Sequence, residues 1–445
     1  MTFKLSAMRP IRFIRDEYVA AYRGLPRRAW VLFAVNLVNS SGSMVFFFLS
    51  LYLTRKLGLP AARAGQVLSL YGIGSLAGAF LGGWLSDRIG SIRVQKLSLW
   101  GCGVFLIILG RVTSVALFMP LLFAYGLFAG TLYPANATSM ARICPPDLQV
   151  KGFALTRLAN NLGATIGPAV GGVLALHDYR LLFWADGLTS LAAAALFGLL
   201  WKGGIAAVAA AGAEKAGAAG EVGDVGPSPS SPGADPDPSS RRAVASQVRP
   251  PGLSPWRDVP FLLMMAIFLV WSIVFVQVLT TFPLYIRNVY GLAENRIGQL
   301  YAVNTVMIVA LEMILMEKIR KYPLALMINV SFVMLGLGLG LMPFGRSFAF
   351  GALTVAVWTV GEMLSMPLVS ALIAQRSDES NRGRYMGLSS FSFSLAFIVA
   401  PPVGMAIYGR FGGDAVWYVC CAVSLLLAVA FSALRSYWGR TSAIQ

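Results

Sequence analysis

Charge is scarce in this 445-residue chain: only 12% of its residues are Asp, Glu, Lys or Arg. An average soluble domain carries about 25%, so an ordinary soluble protein is excluded. Cysteine is sparse too, with four in all, which excludes a disulfide-stapled secreted scaffold. Cys102, Cys144, Cys420 and Cys421 show no metal-ligand or disulfide spacing. The one histidine, His177, cannot by itself form a metal site or a catalytic triad. No glycine-rich loop followed by Lys-Ser or Lys-Thr occurs, so a nucleotide-driven engine is absent. These absences predict a non-enzymatic protein without cofactor or metal. What the chain has instead is 57% hydrophobic residues and a mean hydropathy of +0.69. Its apolar runs follow one another almost without pause, each long enough to cross a bilayer, which needs about 20 residues. The expected class is an all-α polytopic membrane protein.

Reading those runs places spans near 30–53, 65–85, 97–112, 115–140, 151–176 and 180–201. A second set lies near 261–286, 297–317, 323–343, 347–374, 384–408 and 413–437, giving twelve. Basic residues orient them. With the N-terminus inside, the inner segments hold 26 Lys and Arg against nine outside, and 20 against nine without the long linker. The net charge of +17 is therefore a topology signal that also favours anionic lipid. It forms no continuous basic face, so no nucleic-acid partner is expected. Residues 202–258 are different: Gly226 to Ser240 reads GPSPSSPGADPDPSS, a composition that cannot bury enough apolar surface to fold. The expected division is a segment 1–29, a six-helix bundle 30–201, a flexible linker 202–258, a second bundle 259–437 and a tail 438–445. Both termini are expected in the cytoplasm. The composition, rich in Ala, Gly and Arg, and the compact loops suggest a bacterial inner membrane and a monomer.

The two halves repeat. At an offset of 233, Pro134 aligns with Pro367, Pro168 with Pro401, Gly171 with Gly404 and Lys151 with Arg384. Around helices 2 and 8 the offset is 230, where Leu85 to Ile89 parallels Leu315 to Ile319. Two repeats of the same membrane orientation put a pathway between them, about which the bundles can rock.

Gly83-Trp84-Leu85-Ser86-Asp87-Arg88-Ile89-Gly90, with Arg93 beyond, resembles the loop signature between helices 2 and 3 of the major facilitator superfamily. Gly163, Gly167, Pro168, Gly171 and Gly172 in helix 5 resemble the antiporter motif of its twelve-helix drug:proton exchangers. The resemblance implies a twelve-helix fold of two six-helix pseudo-repeats, with helices 1, 4, 7 and 10 lining a central cavity. It also implies that helix 2 packs on helix 11 and helix 5 on helix 8. Asp87 would then face the start of helix 11 near Gly383 to Gly387, where free amides favour an anion, and latch that side shut. The alternative is a solvated loop carboxylate. Pro168 removes one backbone hydrogen bond and the glycines around it allow a bend and close packing, which suits either a packing face or a part in setting transport direction.

Ionisable groups inside spans default to functional hypotheses. Glu362, near the centre of helix 10, is the first candidate for carrying a coupled proton; its bland alternative is a glutamate holding two helices together. Glu312 and Arg157 lie at matching depths on neighbouring helices and form a candidate gate pair that breaks on inward opening. Asp186 is a third proton candidate, or a cap. Asn36, Asn39 and Ser43 make a polar stripe on helix 1, joined by Gln277 and Asn304. Phe46, Tyr125, Phe128, Trp271 and Trp358 would add an aromatic wall. An apolar cavity with few polar handles suits amphipathic or cationic organic solutes.

The expected function is secondary transport of a small molecule in exchange for protons, as efflux of the multidrug-resistance kind. Helix 4 reads LLFAYGLFAG from Leu121 to Gly130 with no basic residue, which leaves room for proton-coupled or facilitated uptake of a metabolite. A lipid-handling or non-transporting protein of the same fold is the reading from another class.

Overall fold

The computed structural model describes residues 22–145, 148–201, 254–377 and 381–442. Residues 202–253 of the expected linker and the first 21 residues lie outside the described residues. The apolar runs form helices, because in lipid every backbone amide must find its partner within the segment. The first half comprises α1 (Arg27–Gly42, resuming as Val45–Leu51 and running on through a wider turn, Tyr52–Lys56), α2 (Ala61–Leu85), α3 (Ser91–Leu109), α4 (Val115–Ile143), α5 (Gln149–His177) and α6 (Arg180–Leu200). The second comprises α7 (Val259–Thr280, resuming as Phe282–Asn288), α8 (Glu294–Ile319), α9 (Leu324–Gly340), α10 (Phe348–Arg376), α11 (Arg382–Phe411) and α12 (Gly413–Ser442). Ten helical stretches among the described residues are long and apolar enough to span a membrane. One of them, Ala61–Leu109, carries both α2 and α3, and Gln149–His177 adds a polar-flanked rod, so the layout fits twelve spans. Surfaces such as Phe80 and Val429, 66% and 67% exposed, are the faces that lipid covers.

Helix 3, short as the apolar run near 97–112 and expected to begin a few residues earlier, starts at Ser91, with Arg93 exposed and Gln95 satisfied inside, donating to the Ala135 carbonyl and Ser139. Two boundaries move from the expected ones. Residues 254–258 belong to α7 and not to the linker: a turn at Pro255–Arg257 leads into Asp258, whose side chain caps the Phe261 amide. Helix α12 runs on to Ser442, past the expected start of the tail.

At Gly90 the chain turns from α2 into α3 with φ of 91°, a conformation that side chains avoid and glycine adopts freely. The loop motif needs its last glycine for that reason. Both first helices of the halves are broken, α1 at Ser43 (ψ 69°) and α7 at Thr281.

The halves meet along α2 against α11 and α5 against α8, and the repeat reappears there as geometry. A Cβ on Gly65 would sit 2.6 Å from the Pro401 carbonyl oxygen, and one on Gly298 would collide with the Pro168 carbonyl oxygen. Gly65 and Gly298 are 233 residues apart, as are Pro168 and Pro401. The two contacts are therefore one contact made twice, as across a pseudo-two-fold axis, with glycine admitting close backbone approach. Both lie toward the ends remote from the 2–3 turn. The side that carries the 2–3 turn, the start of α7 and most lysines and arginines is called the basic face below.

Candidate transport site

On the face opposite the basic one, side-chain bonds join the halves around a surface pocket lined by Arg55, Asp178, Tyr179, Arg287 and Glu294. Glu294, at the start of α8 and 5% exposed, accepts a hydrogen bond from the Tyr179 hydroxyl at 2.6 Å and pairs with Arg287 at 3.1 Å. Arg55 at the end of α1 approaches it at 3.9 Å, and Lys56 pairs with Asp178 at 3.4 Å. Tyr179 and Arg55 come from the first half, Glu294 and Arg287 from the second, so this carboxylate ties the halves together. Just beneath it Gly172 packs on the Glu294 backbone.

Toward the basic face the halves separate into two clefts. One, of about 440 Å³, lies between α2, α4, α10 and α11 and carries no charged residue. Ser75, Ser389, Ser390 and Ser394 give it hydroxyls, and Tyr71, Phe393 and Phe397 close its inner end. The other, of about 640 Å³, lies between α5, α8 and α10 and is ionic, with Lys151, Arg157, Glu312, Glu317 and Arg320. Both volumes lie within the range of small-molecule sites, about 300–1,000 Å³. Met366 lines the first cleft and its neighbour Pro367 the second, so α10 alone divides them there.

Glu362 sits one turn of α10 deeper than that divide. Its carboxylate accepts a hydrogen bond from the Asn304 amide on α8 at 2.7 Å, and the same amide reaches the Thr359 hydroxyl at 3.0 Å. Arg157 and Glu312 are hydrogen-bonded and ion-paired across the halves. Glu312 is partly buried, at 12% side-chain exposure, while Arg157 is half-exposed at 47%. Asp186, 3% exposed, caps α1 where that helix resumes, accepting from the Val45 amide at 3.2 Å and from that of Met44.

Several expected roles are corrected. Asp87 is 80% exposed and lies 3.9 Å from Arg142, while Gly383 and Gly387 have open space before them. The latch onto α11 is not made in this conformation, because the halves are parted on the basic face. Arg88 stacks on Trp84 at 4.1 Å, and Arg93 points outward. The Arg157–Glu312 pair stands although the basic face is open around it, so opening of that face does not by itself break it. Trp271 and Trp358 are fully buried: Trp271 stacks between Phe268 and Phe275 at 5.5 and 5.3 Å, and Trp358 packs on Gly338 of α9. Neither lines a cleft, because an aromatic stripe serves a bundle interior as well as a cavity. Gln277 holds α7 to α11, donating to the Ala400 carbonyl at 2.7 Å. Phe128 stacks on Phe105 of α3 at 5.5 Å, away from the clefts. Asn39 faces α6, accepting from Ser190 at 3.2 Å, and Asn36 is buried. Ser43 bonds within α1 to the Asn39 carbonyl. In α5 Gly163 packs on Ser40, Gly167 on the α1 break and Gly171 on Met44, with Pro168 against α8.

Phe46 and Tyr125 do reach the central region. Phe46 contacts Tyr71 at 4.8 Å and Phe397 at 5.6 Å, and Tyr125 meets Tyr71 at 5.5 Å. The serines of α11 and Glu294 were missed in the sequence: serine is unremarkable in a membrane helix, and Glu294 reads as an ordinary loop-edge acid.

A sealed face, an open face and an ionisable group at mid-depth between two pseudo-repeats define a multi-pass membrane transporter. The chain belongs to the Major Facilitator Superfamily, whose family profile it matches over residues 31–378 and 331–440. Among curated relatives it is 25% identical over 411 residues to a Na(+), Li(+), K(+)/H(+) antiporter of Planococcus maritimus, covering 84% of this chain and 88% of that protein. It is 23% identical over 413 residues to the uncharacterized MFS-type transporter YttB of Bacillus subtilis (strain 168), covering 92% and 95%. Its fold is similar to that of the peptide transporter POT in complex with sulfate, with a TM-score of 0.72 at 16% identity over 94% of this chain and 96% of that one. The nucleoside transporter NupG superposes with a TM-score of 0.66 at 15% identity, over 91% and 98%. At such identities the likeness shows the fold alone.

Proposed function

We propose that the chain is a secondary active transporter working by alternating access, which exports small amphipathic molecules in exchange for protons. The observation that carries this reading is Glu362, a carboxyl at mid-membrane depth, tied to α8 through Asn304, one turn from the point where α10 stands between the two clefts. Such a group is costly to keep in a membrane unless it is used. On the orientation given by the basic residues, the basic face is cytoplasmic and this conformation is inward-facing. The protein then sits in a bacterial inner membrane with its clefts open to the cell interior.

The test is proton release on ligand addition to purified protein in detergent, wild type beside Glu362→Gln, across lipophilic cations and neutral amphiphiles. Release in the wild type that is lost in the variant is expected. Ligand binding without any release would overturn the exchange. A second reading, exchange of a monovalent cation for protons, is favoured by the name of the Planococcus relative. Release on adding sodium or potassium chloride, with none for the amphiphiles, would select it.

Arg157 and Glu312 contribute an inter-half tie beside that acid. Reversing either charge alone should lower transport about tenfold or more, because like charges in contact cost several kcal/mol and about 1.4 kcal/mol is a factor of ten. Exchanging both residues should restore most of the rate. Failure of the exchange to rescue would show that the two side chains act separately.

A further inference from the structure

We infer that Asp186 is a second proton-binding site, one in each half of the molecule with Glu362, so that two protons and not one are bound per cycle. The inference rests on the proton-coupled reading above and adds its stoichiometry. Asp186 lies inside α6, almost without exposure, and no ion pair involves it among the described residues. Its acceptor oxygen meets the amides of Met44 and Val45. The Val45 amide is available because α1 breaks at Ser43, while the Met44 amide is shared with the Gly42 carbonyl, and amides at a helix start favour an anion.

The ionisable groups in electrostatic reach are neutral ones: Tyr71 on α2, Cys102 on α3 and Tyr125 on α4. From α1 only amides face it, and the arginine of α5, Arg157, is committed to Glu312. With no basic side chain at hand, a proton is the positive charge that neutralises this carboxylate. Tyr71 lines the uncharged cleft and its ring packs on that of Tyr125 at 5.5 Å between centroids, so the two phenols stand beside both that cleft and the surroundings of Asp186.

The place of Asp186 gives its proton a consequence. The resumed part of α1 starts on its carboxylate and ends at Arg55 and Lys56, which bind Glu294 and Asp178 on the sealed face. A proton on Asp186 removes the anion that holds the start of this segment, and so loosens the element whose far end keeps that face shut. Release of the proton restores the anion and the hold. No other group need change charge.

Infrared titration of the intact protein in detergent, followed in the carboxyl stretching region, tests this directly. Wild type is expected to show two buried carboxyl bands that titrate, Asp186→Asn one of them, Glu362→Gln the other, and the double variant neither. Tyr125→Phe, which leaves the carboxyl in place, should slow the Asp186 component after a pH jump without removing it. This second variant also keeps the test decisive where Asp186→Asn lowers the yield of folded protein. An Asp186→Asn spectrum identical to wild type, beside a Glu362→Gln spectrum lacking a band, would overturn the two-site inference and leave the exchange reading standing. Spectra unchanged in both variants would overturn both.

Discussion

Replacing Asp258 with alanine is expected to cost about 1–3 kcal/mol, the usual penalty for removing one buried member of a hydrogen-bonded cluster. Asp258 caps the start of α7, and its side chain is 4% exposed. Arg376, the last residue of α10, grips it with two nitrogens at 2.7 and 2.6 Å, and the Tyr385 hydroxyl on α11 donates at 3.0 Å. With the Phe261 amide, one carboxylate thus joins three helices where the second half starts. Loss of it should lower the thermal midpoint in detergent by several degrees, whereas a variant melting with wild type would show the cluster to be incidental. Burial pushes the Asp258 carboxyl up, but Arg376, the Phe261 amide and Tyr385 outweigh it and hold it below the usual carboxylate range. A group depressed in the folded state stabilises at pH above its unfolded value, about 3.9, and that stability is lost as pH falls through the lower folded value. The wild-type midpoint should therefore drop at strongly acid pH more steeply than that of Asp258→Ala.

Gly298→Val is expected to open the sealed face. The new side chain would collide with the Pro168 backbone, which has no flexible end to yield, so α8 must part from α5. Overpacking costs about 1–3 kcal/mol, and here the whole cost falls on the conformation in which the halves touch. At about 1.4 kcal/mol per factor of ten, the closed population should fall by about tenfold to a hundredfold. A cysteine placed at Ala293, beside the Glu294 cluster, would report this as faster labelling by a membrane-impermeant thiol reagent. Gly65→Val should do the same through Pro401. Gly198→Val, where an added Cβ meets nothing, should leave labelling unchanged. Equal labelling in all three variants would show that these close approaches do not set the closed state.

The architecture was readable because a bilayer forces long apolar runs into helices and lets charge counts orient them. Helix ends were less readable where polar groups are satisfied inside: Gln95 and Asp258 both extend a helix into what reads as loop. The repeat was visible at Pro168 and Pro401, yet the partner glycines Gly65 and Gly298 gained meaning only once the halves were packed. Glu362, Glu312 and Arg157 stood out because ionisable groups are rare at such depth. The cleft walls did not, since a 3.6-residue stripe looks the same whether it faces a cavity or a neighbouring helix. Trp271 and Trp358 went to the bundle interior for that reason, while Ser389, Ser390 and Ser394, which carry no hydropathy signal, line the uncharged cleft.

The doubled glycine–carbonyl contact also bears on ancestry. In a symmetric dimer of six-helix chains, one glycine facing one carbonyl would close the doorway twice, because every isologous contact comes in a pair. A chain built by fusing two such copies inherits the closure complete, and afterwards each copy can drift on its own. In this chain the two halves differ in the cleft walls, hydroxyls along α11 and ions between α5 and α8, while the closure keeps the form of a pair.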